Sequence, residues 1–192
     1  MRRTARSVVL AAAVLLVGAA VLQAGPAADE AAAVREDAMQ AVHAQLSASC
    51  FNDCRALIDK RGRTDEDTEN MLLLANASLW HWKQRADCQP VNLSVGYWLL
   101  SRVHALAGQA DMAVFFGGRC LAVSEQNQLP PFYTGCAYEA LARAVALRGD
   151  IESARGLVAL ARAKQSEVTD MEQSTLLATD LREIEQGILP KQ

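Results

Sequence analysis

Leu100-Ser101-Arg102-Val103-His104-Ala105-Leu106-Ala107-Gly108 and Leu141-Ala142-Arg143-Ala144-Val145-Ala146-Leu147-Arg148-Gly149 say nearly the same thing, 41 positions apart. Ala113 and Ala154 extend the match, each five residues past its glycine. Leu, Arg, Ala, Leu, Gly and Ala coincide at fixed spacing. A period between about 20 and 50 residues marks stacked helical repeats. Each copy reads as a helix, a tight turn at glycine, and a second helix. Gly108 and Gly149 follow apolar-periodic runs, where a helix end wants a residue with positive φ. A methyl at Ala113 or Ala154 lets the second helix approach the first closely. One such hairpin cannot bury its apolar face alone, so neighbours must stack.

The hairpin resembles the tetratricopeptide repeat family, which has a bulky residue, Leu, a small residue, a larger one, Gly at the turn, and small residues in helix two. The first copy offers Tyr97, Leu100, Ser101, His104, Gly108, Ala113 and Cys120 in those places. The second offers Tyr138, Leu141, Ala142, Val145, Gly149, Ala154 and Ala161. The family's large helix-two residue is replaced by Gly117 and by Val158, and Asn127 to Phe132, with Pro130-Pro131, lengthens the connection. The stretch from Ser78 to Arg143 is also similar to a group of uncharacterised bacterial helical-repeat proteins. It shares with them Trp80-His81-Trp82, Gly96-Tyr97-Trp98, Pro131-Phe132-Tyr133 and Tyr138-Glu139-Ala140. The resemblance implies a right-handed superhelical stack of antiparallel helix hairpins whose concave groove binds a protein or peptide.

Outward from the repeats the pattern stays helical. Ala33 to Asp59 puts Val34, Ala38, Val42 and Leu46 on one face, and Ser49 to Asn52 is a candidate break. Arg61-Gly62-Arg63 reads as a turn. Thr64 with Asp67 three residues on, among acids of a first turn, reads as a helix start. Asn92 to Ala107 is apolar nearly all round, as a helix buried on two sides must be. Helices are expected over Gln109–Asn127, Phe132–Arg148 and Asp150–Lys164. A last helix, opened by Thr169-x-x-Glu172, aligns Leu177, Leu181, Ile184 and Ile188, with a polar face suited to a terminal cap. The expectation is an all-α chain of about seven helices: one domain over 33–189, its clearest repeats at 95–124 and 136–164.

Composition agrees. Apolar residues make up 51% and aromatics 5% of 192 residues, and Ala and Leu dominate. That favours helix over sheet and suffices for one ordinary core. At the N-terminus Arg2, Arg3 and Arg6 precede the uncharged apolar run Val8 to Leu22, then Gln23-Ala24-Gly25-Pro26. This reads as a secretory signal peptide over 1–24 cleaved after Ala24, with a linker over 25–32. The run falls short of the roughly 20 residues of a spanning helix. The expected location is therefore periplasmic or extracellular. A short uncleaved anchor, or a cytoplasmic protein translated from Met39, are the alternatives. With those three arginines set aside, 16 basic residues face 22 acidic ones, which disfavours nucleic acid or an anionic membrane as partner.

Arg102 and Arg143 hold the same place in the two copies. In the resembled family that place faces the concave groove, so repeated guanidinium forks would await a carboxylate or phosphate there. Trp98 and Glu139 lie a turn earlier on the same face, and Tyr133 and Tyr138 would flank it. The alternative is structural pairing, for example Arg143 with Glu139 at i−4. Trp80 and Trp82 are two apart, so one should pack inward and the other face solvent as a candidate hot spot. The five cysteines are 50, 54, 88, 120 and 136. Cys50 and Cys54 form a disulfide only if the helix breaks between them, since i,i+4 Cβ atoms lie about 5–6 Å apart and a bridge wants about 4 Å. Cys120 and Cys136 read as buried small hydrophobes, and His104 as a core histidine. No CxxC, HxxxH, GxSxG or P-loop occurs, so neither metal, cofactor nor enzyme activity is expected. The function expected is a non-catalytic scaffold or adaptor, a homo-oligomer being open. The alternative is a small-ligand, metal or thiol-binding helical protein.

Overall fold

Thr64 accepts a hydrogen bond from the Asp67 amide, and the Asp67 carboxylate accepts one back from the Thr64 amide, so two orphan donors of a helix start are satisfied together. Starts and stops of this kind punctuate the whole computed structural model, which describes residues 26–188. Its helices are α1 (Pro26–Asp59), α2 (Asp65–Gln84), α3 (Pro90–Leu106), α4 (Ala110–Gln126), α5 (Pro131–Leu147), α6 (Ile151–Glu167) and α7 (Met171–Glu183), closed by a π turn, Ile184–Ile188. Among the described residues there is no strand. The chain divides into two units, the first ending at Arg35 and the second starting at Glu36. In the first, the described residues are helical, and Asp29–Arg35 are exposed. The second carries the core.

Consecutive helices pack in pairs, α3 on α4 and α5 on α6, and α3, α5 and α7 lie side by side. This is a helical repeat stack. Gly108 and Gly149 turn the two clear hairpins at φ 73° and 94°, and Gly62 turns the first at 66°. Ala113 and Ala154 are wholly buried where the helices of each hairpin meet. Gly117 does a different job. A Cβ there would lie 3.1 Å from Leu141 Cα and 3.1 Å from Ser101 Oγ, so the missing side chain lets α4 wedge between α3 and α5. The large residue that the resembled family carries at that place would not fit here.

The core forms one cluster around Met71, Leu99, Leu100 and Val103 and a second around Val145, Leu177, Leu181 and Ile184. Burying each such side chain contributes about 1.5–3 kcal/mol. α1 joins α2 through Cys54, whose thiol donates to the Met71 carbonyl, and through Ser78, whose hydroxyl donates to the Ser47 carbonyl at 2.8 Å.

Several boundaries differ from those expected. α1 is continuous through Ser49–Asn52, because burial of Ser47 and Cys54 on either side outweighs weak local helix propensity. It also starts at Pro26, so residues 26–32, expected as a linker, are helical. Pro in the first turn, several alanines and Asp29 all favour that start. α7 is capped by Asp170, which accepts from the Gln173 amide, one residue after the expected Thr169. The signal peptide and its cleavage point lie outside the described residues. No helix among the described residues is long and apolar enough to cross a membrane.

Candidate functional site

Arg102 on α3 and Arg143 on α5 do come together, but not as open forks. Both are buried, and between them stands Glu139, 1% exposed. Its Oε1 accepts from Arg143 Nε at 2.9 Å and lies 3.5 Å from Arg102 Nη1; its Oε2 accepts from the Trp98 indole N–H at 3.1 Å. Glu183 of α7 caps the pair, its Oε2 taking Arg102 Nη2 at 2.9 Å and Arg143 Nη2 at 3.3 Å. Arg143 also donates to the Asp180 backbone carbonyl at 3.2 Å. Of the two readings of the arginines, structural pairing describes their contacts: the guanidiniums hold α3, α5 and α7 together. Arg102 Nε is the one buried side-chain polar atom among the described residues with no partner. Such an orphan donor costs about 1–3 kcal/mol.

Asp180 is the odd member. Its carboxylate accepts no hydrogen bond among the described residues, and its nearest guanidinium nitrogen, Arg102 Nη2, is 3.7 Å away. Burial, then the charge of Glu139, push its pKa up to about 6 against the pull of both arginines. For Glu183 burial acts in the same direction, but the Arg102 hydrogen bond and the two cationic neighbours win and hold it below the usual carboxylate range.

Beside this network lies a pocket of about 240 Å³. Its walls come from the odd-numbered helices: Phe51 and Arg55 of α1, Ser94, Val95 and Trp98 of α3, Phe132, Tyr133 and Cys136 of α5, Leu176 and Asp180 of α7, with Cys120 of α4 at its base. Inner helices of successive hairpins thus converge on one apolar pocket with a carboxylate at one side. Arg55 lies 5.5 Å from the centre of the Trp98 ring and pairs with Asp59 at 4.0 Å.

The residues singled out in the sequence divide as follows. Trp98, Glu139, Arg102 and Arg143 form the network, and Tyr133 lines the pocket. Tyr138 does not: its hydroxyl donates to Glu125 at 2.6 Å, against α4. Trp80 is 55% exposed, its ring T-shaped against His43, while Trp82 is half-buried under Arg85, whose guanidinium stands 3.8 Å from the ring centre. His104 is buried, bonded to Gln109 and stacked on Phe116. All five cysteines are free. The Cys50–Cys54 bridge is not made, because the helix between them never breaks. Burial pushes the Cys120 thiol up to about 12; burial, Glu139 and Asp180 push Cys136 well above the usual thiol range. Both stay protonated at neutral pH, which leaves them poor nucleophiles. Among the described residues no three His, Cys, Asp or Glu side chains group to hold a metal ion.

Asp180 and Glu183 were missed from sequence, as were Phe51, Arg55 and Leu176. A signal existed for part of this. Leu176, Asp180 and Glu183 fall at i, i+4 and i+7, one stripe beside the buried Leu177, Leu181 and Ile184. The chain matches no family model, no curated protein and no solved structure.

Proposed function

We propose that the chain is a non-catalytic binding module of the tetratricopeptide-like kind, which holds a segment of another protein with one side chain in the inner pocket. The observation that carries this is the convergence of α1, α3, α5 and α7 on a single apolar pocket. Size supports it: about 240 Å³ is below the roughly 300–1,000 Å³ of ordinary ligand sites, and suits one side chain rather than a whole cofactor. The rigid network of Arg102, Glu139, Arg143 and Glu183 keeps the wall of the pocket in place. The module is read as exported, on the strength of the N-terminal basic and apolar pattern.

Selection of random peptides displayed on phage tests the binding role, with wild type beside Cys136→Phe, which fills the pocket. Circular dichroism and the thermal midpoint establish that the variant is folded. Wild type should enrich peptides sharing a residue type at one position, and the filled variant should not. Equal enrichment by both, or none by wild type, contradicts the assignment.

A further inference from the structure

The sign of charge expected from sequence is reversed by α7. Repeated arginines suggest an anionic ligand, yet Arg102 and Arg143 are already met by Glu139, Asp180 and Glu183. Two cations against three carboxylates leave one negative charge in excess. That charge sits at the pocket, since Asp180 both lines the pocket and accepts no hydrogen bond among the described residues. Arg55, the cation of the opposite wall, is turned to the Trp98 ring, 5.5 Å from its centre, and lies 4.0 Å from the exposed Asp59. The remaining walls are aromatic and aliphatic: Trp98, Tyr133, Phe51 and Leu176.

We propose that the pocket is a subsite for a lysine side chain of the bound segment: its apolar stem against the aromatic walls and its ammonium on the Asp180 carboxylate, whose ion pair with Arg102 is long, at 3.7 Å, and leaves its hydrogen-bonding capacity open. The assignment rests on the pocket being the binding site. Lysine fits better than arginine by shape, because a compact point charge on an apolar stem needs one carboxylate and a narrow lined channel, whereas a guanidinium fork needs paired acceptors. The aromatic faces add cation–π attraction in a partly desolvated place. The Cys136 thiol sits in the same field: burial first, then Glu139 and Asp180, keep its proton on.

The test is a titration of the ¹⁵N-labelled chain at pH 7.5, read at the Trp98 indole N–H, which is assigned by Trp98→Phe. The probes are n-butylammonium, n-butanol, and two blocked tripeptides, Ala-Lys-Ala and Ala-norleucine-Ala. Butylammonium should bind about tenfold more tightly than butanol, the worth of one charge-assisted hydrogen bond. The lysine tripeptide should exceed its norleucine analogue by a similar factor. Asp180→Asn should remove both preferences while butanol still shifts the indole; the spectrum itself shows whether that variant is folded. Equal binding of ammonium and alcohol to wild type overturns the basic subsite but leaves the pocket as a site. A preference that survives in Asp180→Asn also overturns it. Binding of butylammonium without the lysine tripeptide overturns the side-chain assignment in favour of a free amine. If no probe moves the Trp98 signal, the pocket reading fails as well.

Discussion

Glu139→Gln removes the charge on which the network turns. Glu139 is 1% exposed and meets Arg143 at 2.8 Å, Arg102 at 3.5 Å and the Trp98 indole at 3.1 Å. Glutamine keeps the shape but offers one acceptor oxygen, and its amide donors oppose the N–H groups already aimed there. Breaking a buried ion pair by removing one partner costs about 3–5 kcal/mol. Here Glu183 and Asp180 remain near both arginines, so the lower end, about 3 kcal/mol, is expected. With a urea slope of about 2 kcal/mol per M, the midpoint should fall by about 1.5 M with the slope unchanged. A second consequence separates electrostatics from packing. Glu139 follows burial as the cause that raises Asp180 to about 6, so Asp180 in the variant should titrate at lower pH, read by carboxyl ¹³C shifts. A urea midpoint within about 0.3 M of wild type, or an unmoved Asp180, would refute the reasoning.

Asp180→Asn should not destabilise the chain at pH 7.5, and should raise its stability by about 1 kcal/mol, because it removes a charge that burial disfavours. The sign follows from linkage: an acid raised from 3.8 to about 6 makes the folded state bind more protons over that range, so its contribution declines as pH rises through about 6. Chemical denaturation at pH 5 and 7.5 should show the variant's advantage only at the higher pH. Gly117→Val should cost about 2 kcal/mol in thermal or urea unfolding, since its side chain meets the Leu141 backbone; an unchanged midpoint would mean α4 is not wedged there. Native alkylation at pH 7.5, followed by peptide mass mapping, should leave Cys54 and Cys120 unmodified while Cys50 and Cys88 react. His43 and His81 are hydrogen-bonded through ring nitrogens 2.8 Å apart, and burial and then His43 lower the proton affinity of His81. The unfolded chain then binds more protons, so stability falls as pH drops below about 6.5, and His81→Gln should flatten that slope.

What was legible in the sequence was local. The internal match around Arg102 and Arg143 carried the hairpins, Gly108 and Gly149 their turns, Ala113 and Ala154 their close approach, and Thr64 with Asp67 a helix start; all stand in the structure. The i−4 pairing of Arg143 with Glu139 was equally local and is present. The rest depends on contacts far apart in the chain. Arg102 meets Glu183 across 81 positions, so no periodicity in α3 announces its partner. The polar face of α7 reads as a solvent face until the stack brings α3 and α5 against it. The continuity of α1 through Ser49–Asn52 is likewise decided by α2, which buries Ser47 and Cys54, and that continuity forbids the Cys50–Cys54 bridge.

The most direct measurement is a nuclear Overhauser spectrum of the chain bound to a peptide enriched by wild type and not by Cys136→Phe. Cross-peaks from side-chain methylenes of the peptide to the Trp98 indole and the Tyr133 ring are expected, with none to Trp80 of α2 or Phe115 of α4, the exposed aromatic side chains of those helices. Cross-peaks confined to Trp80 and Phe115 would place the partner on the α2 and α4 surface and contradict the inner pocket as the site.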